Sequence, residues 1–218
     1  MARHLAIGDI HGCITALSTL VEFVAPDSDD TIVTLGDYVD RGPDSAAVVQ
    51  FVLDLHKSRN VISLRGNHEI MMLDSRDKKS WFQPWIGYGG EATLQSYGGS
   101  FEGVPDEHFD FLQNGLVSHY ECASHFFVHA FAEAEIELDK QTDATLYWRK
   151  YKNPRPHCSG KIMVCGHTAQ RNGLPLNDGH SVCIDTWAHG DGWLTCFDVD
   201  SGTIWQANEQ GETRSSKI

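Results

Sequence analysis

Basic residues are scarce in this sequence relative to acidic ones. The chain of 218 residues has 17 lysines and arginines against 30 aspartates and glutamates, which gives a formal net charge of −13. This balance argues against a nucleic acid or an anionic membrane as the main partner, because both are bound through excess positive charge. It does not exclude an anionic substrate, since metal ions and a few arginines can reverse the sign of the charge locally.

Long apolar runs and paired cysteines are also absent. No stretch is long enough to span a bilayer, and residues 1–4 lead into a predicted strand without the apolar core of a signal peptide. The six cysteines are scattered and form no Cys-x-x-Cys pair. We therefore expect reduced thiols and a cytoplasmic location.

Three predicted strands in the first third of the chain are each followed by polar residues set beside a glycine. The strands cover residues 4–8, 31–35 and 60–64. The carboxyl ends of parallel strands meet at one edge of a sheet, where ligands collect, so these side chains are expected to lie together. The polar residues concerned are Asp9 and His11, then Asp37, Asp40 and Arg41, then Arg65, Asn67 and His68.

The segments between these strands have the periodicity of amphipathic helices, which predicts an α/β fold. Residues 13–24 and about 43–57 separate the strands at a spacing of about 25–30 residues, as in the βαβ units of a parallel sheet. A helix is predicted at 105–115, and residues 208–218 are expected to form a polar, frayed tail after a single domain at 1–207. Further strands are predicted at 115–122, 125–128, 161–165, 181–185, 193–199 and 203–206.

Two later strands also end in histidine, His129 and His167, which completes a set of six candidate metal ligands. Oxygen and imidazole ligands without thiolate suit Mn²⁺, iron, Zn²⁺ or Co²⁺ rather than a structural zinc cage. Six ligands are too many for one open catalytic ion and suit two, with Asp37 as the natural bridge. The full set is Asp9, His11, Asp37, Asn67, His129 and His167.

These motifs together resemble those of the calcineurin-like metallophosphoesterases, and most of all the short bacterial and phage serine/threonine protein phosphatases. The resemblance covers about residues 4–200 and implies a four-layer αββα fold, in which a β-sandwich of mixed sheets is flanked by helices. The matching segments are Gly8-Asp9-Ile10-His11-Gly12, Gly36-Asp37-Tyr38-Val39-Asp40-Arg41-Gly42, Arg65-Gly66-Asn67-His68-Glu69, His129 and Gly166-His167-Thr168.

The resemblance also implies a role for each residue of the site. Asp9, His11 and His167 would hold one ion, Asn67 and His129 the second, and Asp37 would bridge the two. His68 would be the general acid, held by Asp40, which fits the usual pairing of a catalytic histidine with a carboxylate. Arg41 and Arg65, with Arg149 as a third candidate, would clamp the phosphate.

The implied activity is hydrolysis of phosphoserine or phosphothreonine, with phosphotyrosine as an addition, by a hydroxide that bridges two divalent ions. Manganese is the first choice of metal, with Fe/Zn, Ni and Co as alternatives, and the expected partner is a phosphoprotein or phosphopeptide. Symmetrical hydrolysis of diadenosine tetraphosphate uses the same site motifs and stays open. A binding module without turnover is a third interpretation.

Three features of the sequence leave the substrate and the surroundings of the site open. The aromatic and glycine-rich segment 74–104 is interpreted either as a lid that lines a substrate groove, where it would stack an adenine, or as packing between two short helices. Phe131 and Trp187 stand where relatives have smaller residues, and both are expected to reshape the groove. Eight further histidines are expected to be buried in the core or simply exposed: His4, His56, His108, His119, His125, His157, His180 and His189.

Overall fold

The computed structural model describes residues 2–218 and contains two mixed β-sheets. Strands of the first sheet, in spatial order, are β11 (Thr213–Lys217), β10 (Thr203–Ala207), β9 (Leu194–Asp198), β1 (His4–Ile7), β2 (Thr31–Thr34) and β3 (Asn60–Ser63). Strands of the second are β4 (His119–Glu121), β5 (His125–Val128), β6 (Ile162–Cys165), β8 (Ser181–Cys183) and β7 (Leu176–Asn177). Parallel pairing joins β1 to β2 and β2 to β3, as the βαβ spacing predicts, and in the second sheet it joins β5 to β6 and β6 to β8.

Six α-helices belong to the first two thirds of the chain. They are α1 (Ile14–Val24), α2 (Ser45–Ser58), α3 (Asn67–Asp77), α4 (Lys79–Trp85), α5 (Glu91–Ser96) and α6 (Asp106–Asn114). The side chain of Asp44 caps α2 by accepting the Ala47 N–H at 2.9 Å, which satisfies one of the free donors at the helix start. Among residues 2–218, no helix is long and apolar enough to cross a membrane.

Alternating side chains of the strands separate the core into layers. In β1, Leu5 and Ile7 pack with the helices, whereas Ala6 belongs to the cluster that includes Phe127 and Val164 from the second sheet. The two sheets therefore bury one face against each other, and the first sheet buries its other face under helices. This confirms the predicted α/β sandwich.

A third cluster covers the outer face of the second sheet. Phe126, Met163 and Cys165 pack there against Phe131 and Leu146. The covering segment has only short helical turns, at Leu138–Lys140 and Ala144–Trp148, so this outer layer is thinner than the helical layer on the first sheet. Phe131 is buried in this cluster, 4% exposed, and does not reshape the groove as expected from the sequence.

Most of the large side chains of segment 74–104 are part of the main core. Trp85 is fully buried, and Leu94 and Tyr97 pack in the same cluster as helices α1 and α2. Phe101 stacks on Trp85 with ring centroids 5.4 Å apart. The packing interpretation is confirmed for these residues, and they are not available to stack on a substrate.

Two expectations about the later part of the chain were wrong. The segment 208–218 is not wholly frayed, because Thr213–Lys217 forms β11 and pairs with β10 from Thr203↔Lys217 to Ala207↔Thr213. Its polar side chains are mostly exposed while its backbone completes the sheet, so no apolar pattern announces the strand. The strand predicted at 115–122 shrinks to β4, because Val117 pairs with Leu64 at the end of β3 before the chain enters the second sheet.

Candidate metal centre and active site

The end of β1 places Asp9 and His11 at the carboxyl edge of the first sheet. Both are buried, and Asp9 accepts the backbone N–H of His167 at 2.9 and 3.1 Å, which ties the two sheets together at this point. His11 Nδ1 donates to the carbonyl of Val39 at 2.9 Å, which leaves Nε2 as an acceptor. That nitrogen lies 3.3 Å from Asp37 Oδ2, so the ends of β1 and β2 converge.

Asp37 lies at the centre of the cluster. Its carboxylate is 3.5 Å from His129 Nε2 as well as 3.3 Å from His11 Nε2, and its Oδ1 accepts the backbone N–H of His68 at 3.1 Å. Burial alone would raise the pKa of Asp37, but the neighbouring imidazoles of His129, His68 and His11 hold it below its ordinary value. An ionised carboxylate between two sets of imidazoles is the geometry expected of a bridging ligand.

His129 and His167 bring the second sheet to the same point. His129 Nδ1 lies 2.8 Å from the carbonyl of Leu35, and its Nε2 lies 3.0 Å from Asn67 Oδ1. The rings of His129 and His167 are 5.1 Å apart. All six residues predicted as metal ligands are therefore linked by short contacts across the ends of the two sheets.

The donor set fits divalent cations. Burial lowers the pKa of His129, so its imidazole is neutral near pH 7 and has a single N–H to share among three oxygens, from Leu35, Asn67 and Asp37. One ring nitrogen must then face oxygen with its lone pair, and a cation resolves this conflict. Burial also lowers the pKa of His11, and it lowers that of His167 to about 3, which keeps both in the form that binds metals.

Geometry alone divides the ligands somewhat differently from the resemblance. Two groups have ligand atoms within 4.8 Å of one another, namely His11, Asp37 and His68, and Asp37, His129 and His167. Asp37 belongs to both groups, as a bridge would. The assignment of His167 to the ion held by Asp9 and His11 stays a prediction.

His68 is held by a hydrogen bond to the buried carboxylate of Asp40, which accepts further hydrogen bonds from other residues. Its Nδ1 donates to Asp40 Oδ2 at 2.6 Å, which leaves Nε2 directed toward Asp37 at 4.0 Å. The same Asp40 carboxylate accepts the hydroxyl of Thr93 at 2.7 Å and the indole N–H of Trp85 at 2.9 Å. Burial would lower the pKa of His68, but the charge of Asp37 and the bond to Asp40 outweigh it and raise the pKa.

Glu69 holds the loops beneath these residues. Its buried carboxylate accepts the backbone N–H groups of Gly66, Asp37 and Tyr38 at 2.9, 3.0 and 2.7 Å. A side chain at position 66 would not fit, because a Cβ there would lie 2.2 Å from Asp37 Oδ1. The Gly-Asn-His-Glu segment therefore serves the site with its backbone as well as its side chains.

Backbone strain is concentrated at the site. The described chain has eight non-glycine residues with positive φ, and six of them lie here: His11, Asp37, Asp40, Arg41, His167 and Trp187. A left-handed conformation costs a residue with a Cβ roughly 1–2 kcal/mol. Such strain collects at functional sites, where the surrounding structure fixes the backbone.

A polar cavity of about 330 Å³ opens onto this cluster. Asp37, His68 and Arg41 line it together, and Arg41 donates to His11 Nε2 at 2.8 Å. A general-acid candidate, a metal-ligand candidate and a guanidinium therefore face the same space. The remaining lining residues are Lys150, His167, Ala169, Arg171, Asp185, Trp187 and His189.

Residues 2–183 match the family described as calcineurin-like phosphoesterase. The chain belongs to this family. The motif-based resemblance is thereby confirmed, and this member of the family has the candidate ligands of a two-metal site.

Curated relatives of the phosphoesterase carry two different activities in their names. It is 40% identical over 91 residues to serine/threonine-protein phosphatase 1 of Salmonella typhimurium, which covers 41% of this chain and 40% of that protein. It is 32% identical over 145 residues to the symmetrical bis(5'-nucleosyl)-tetraphosphatase of Stutzerimonas stutzeri, which covers 62% of this chain and 46% of that protein. The matched regions span less than half the length of either relative.

The fold is similar to that of a cold-active protein tyrosine phosphatase of known structure. The TM-score is 0.70 at 16% identity, and the superposition covers 99% of this chain and 78% of the other. At this identity the likeness shows the fold alone.

Two of the three predicted phosphate-binding arginines lie outside the cavity lining of this phosphoesterase. Arg65 donates to the carbonyl of Gln113 at 2.7 Å. Arg149 pairs with Glu133 and lies over the ring of Phe131, 4.7 Å from its centroid. Only Arg41 lines the cavity, and the roles of Arg65 and Arg149 stay predictions.

Four lining residues of the phosphoesterase were missed or set aside in the sequence. Asp185 follows β8 at the same sheet edge, so the strand-end pattern that singled out Asp9 and Asp37 also applies to it. Burial raises its pKa to about 6, and the charge of Asp37 adds to the effect. His189, expected to be a core or exposed residue, lies 4.8 Å from the ring of His11 and lines the cavity. Lys150 and Arg171 carried no motif.

Proposed function

We propose that this phosphoesterase removes phosphate from phosphoserine and phosphothreonine side chains of proteins, using two divalent ions, with Mn²⁺ as the first candidate. The single observation that carries the proposal is the placement of His68, paired with Asp40, in the same cavity as Asp37 and Arg41. A cytoplasmic phosphoprotein is the proposed partner. Each element of the reaction then has a residue suited to it.

The proposed ions would be held by Asp9, His11, Asp37, Asn67, His129 and His167. When bound, they supply Lewis acidity that activates water and neutralises the oxygens of the phosphoryl group. Arg41 would add hydrogen bonds to those oxygens with its planar guanidinium. These positive groups reverse the sign of an acidic chain at the one place where a phosphate must bind.

His68 would release the alcohol. Because Nδ1 donates to Asp40, Nε2 is the nitrogen that carries the transferable proton into the cavity. In the proposed step this proton passes from Nε2 to the oxygen of the leaving serine or threonine as the P–O bond breaks. The raised pKa of His68 supports this role, since a general acid must be protonated before the step.

The packing of segment 74–104 removes two of its aromatic side chains from any role in binding a dinucleotide. Trp85 and Tyr97 are buried in the core, so neither can stack on an adenine from the cavity side. A symmetrical diadenosine tetraphosphatase is the second candidate function. Trp187 favours it, because this indole lines the cavity and is the lining residue best suited to stack on a base.

The first test compares hydrolysis of a phosphothreonine peptide with that of diadenosine tetraphosphate by Mn²⁺-loaded protein at equal substrate concentration. We expect a kcat/KM at least about tenfold higher for the peptide, which corresponds to about 1.4 kcal/mol of transition-state preference. The reverse ratio would transfer the function to nucleotide hydrolysis.

A His68→Asn variant separates catalysis from binding alone. Removing a general acid lowers the rate by about 10²–10⁴. We expect this loss in kcat at unchanged metal content, measured by elemental analysis of the same sample. Turnover equal to that of the parent would remove His68 from the mechanism, and no turnover by either protein on any phosphoester would favour a binding module.

A further inference from the structure

Three cations line the cavity, but the proposed reaction uses only one of them. Arg41 lies at the cluster of predicted ligands, whereas Lys150 and Arg171 are exposed at the rim. Neither of the rim cations has a carboxylate within 4 Å among residues 2–218. Elsewhere on the surface, Arg149 pairs with Glu133 and Arg155 pairs with Glu135.

Arg171 is held in place by an aromatic ring. Its guanidinium lies over Trp187, 5.2 Å from the ring centroid, and makes no hydrogen bond within the described chain. All of its N–H donors are therefore free for a ligand, while the stacking limits how far the group can move. A planar cation kept in this way is prepared to bind an anion.

Trp187 is itself fixed by a close-fitting loop. Its backbone is left-handed, with φ of +66°, and its N–H donates to Asp185 at 3.1 Å. The indole packs on Gly190, where an added Cβ would lie only 2.4 Å from the ring. The loop between β8 and β9 thus fixes the position of the Trp187 ring that supports Arg171.

Lys150 adds positive charge from the segment between β5 and β6. Its Nζ donates to the carbonyl of His167 at 3.0 Å, which places the ammonium beside the predicted ligands. The acids of the lining, Asp37 and Asp185, lie on the buried floor at 1% and 3% exposure, whereas Lys150 and Arg171 are exposed. The rim of the cavity is therefore positive in a chain whose net charge is −13.

We propose that Arg171, supported by Trp187 and assisted by Lys150, forms a second anion subsite next to the position of the scissile phosphate. The subsite selects substrates that carry another negative group close to the phosphate that is removed. This inference rests on the proposed function: in a phosphopeptide the second group is an acidic or phosphorylated neighbour. In a nucleoside polyphosphate it would be the next phosphate of the chain.

The test measures a selectivity ratio. One phosphothreonine peptide has glutamate on both sides of the phosphoresidue, and its counterpart has glutamine there. We expect the parent protein to prefer the acidic peptide by about fivefold in kcat/KM, the factor that one exposed ion pair can give. The preference should disappear in high salt, since exposed charges are screened. The ratio cancels any difference in the amount of active protein.

Variants then assign the preference to residues. Arg171→Gln should bring the ratio close to unity. Arg155→Gln loses the same charge on a surface outside the cavity and should keep the parent ratio. Trp187→Gly removes the support of Arg171 and relaxes a left-handed backbone, so it should fold and lower the ratio as well.

The outcomes separate this inference from the proposed function. If neither peptide is hydrolysed but diadenosine tetraphosphate is, the protein-phosphatase proposal fails. The selectivity ratio is then measured as kcat/KM for diadenosine tetraphosphate divided by kcat/KM for phenyl phosphate. A drop of that ratio in Arg171→Gln would uphold the subsite with phosphate as its ligand. The subsite is overturned if Arg171→Gln and the parent protein show the same selectivity ratio. The comparison uses whichever pair of substrates the protein hydrolyses.

Discussion

The indole N–H of Trp85 donates to the carboxylate of Asp40, 2.9 Å from Oδ2 and 3.1 Å from Oδ1. Both residues are fully buried, although 45 positions separate them in the chain. Because Asp40 in turn holds His68 at 2.6 Å, the aromatic segment positions the proposed general acid from behind. Segment 74–104 thus packs in the core and supports the site at the same time.

Replacing Trp85 by Phe should weaken this support while keeping most of the packing. A buried hydrogen bond to a charged group is worth about 1.5–3 kcal/mol. We expect kcat to fall about tenfold, as is typical when the partner of a functional side chain is removed. KM should change little, because the variant leaves Arg41 in place. Trp81→Phe, at a 45% exposed site, is the matched control, and equal kcat values for the two variants would contradict the prediction.

Gly89 supports Arg41 through its backbone. The Arg41 N–H donates to the Gly89 carbonyl at 3.1 Å, and a Cβ on Gly89 would lie 2.7 Å from Arg41 Cγ. Because Gly89 has a φ of +111°, Gly89→Ala should lower the free energy of unfolding by at least about 1 kcal/mol. The added methyl group should also weaken substrate binding by displacing Arg41. Gly87→Ala has open space around the added methyl and serves as the control in thermal unfolding and in KM. Identical behaviour of the two variants would show that position 89 tolerates the change.

Metal removal should lower the thermal stability of the folded protein. A ligand that binds only the folded state adds about 2.7 kcal/mol when its concentration is 100 times Kd. We therefore expect a chelator to lower Tm, Mn²⁺ to restore it, and Asp37→Asn to lose most of the Mn²⁺-dependent shift. Asp54→Asn removes the same charge from an exposed helix position and should retain the full shift. A normal shift in Asp37→Asn would exclude Asp37 as a ligand.

Acid should destabilise the fold in part through His108. This side chain is buried between Tyr97 and Gln50, with contacts of 2.8 and 3.1 Å, and burial lowers its pKa. The unfolded chain then binds the proton more readily, so the stability from neutral His108 is complete above about pH 6.5 and is lost as the pH falls toward the lowered pKa. His108→Gln should flatten the fall of unfolding free energy between about pH 7.5 and about pH 5.5 in urea titrations. An equally steep fall would assign the acid sensitivity to other groups.

The parts of the fold that were predicted depend on short-range patterns. Strand, glycine and polar residue follow one another within ten positions at Asp9, Asp37 and Asn67, so the sequence already places all three at one sheet edge. The spacing of apolar residues likewise predicts α1, α2 and eight strands within a few residues of their observed ends, namely β1, β2, β3, β5, β6, β8, β9 and β10.

The remaining features depend on contacts that no local pattern records. The bonds from Trp85 and Thr93 to Asp40 join residues 45 and 53 positions apart. Strand β11 is polar and is held by its backbone pairing with β10, which leaves no apolar signature. Asp185 was within reach of the strand-end pattern, whereas the placement of His189 depends on how the loop after β8 folds back over His11. The placement of Arg171, in the segment between β6 and β7, depends on its contact with Trp187.

The left-handed backbone at His11, Asp37, Asp40, Arg41, His167 and Trp187 sets stability and activity against each other. At each of these positions glycine would relieve the backbone and remove the side chain that the proposed chemistry uses. A search for heat-resistant variants of this protein should therefore collect glycine substitutions at Arg41 and Trp187, which line the cavity and are neither predicted metal ligands nor partners of His68. Such variants would have a more stable fold but would bind phosphate more weakly. The gain in heat resistance would thus come at the same residues that substrate binding requires.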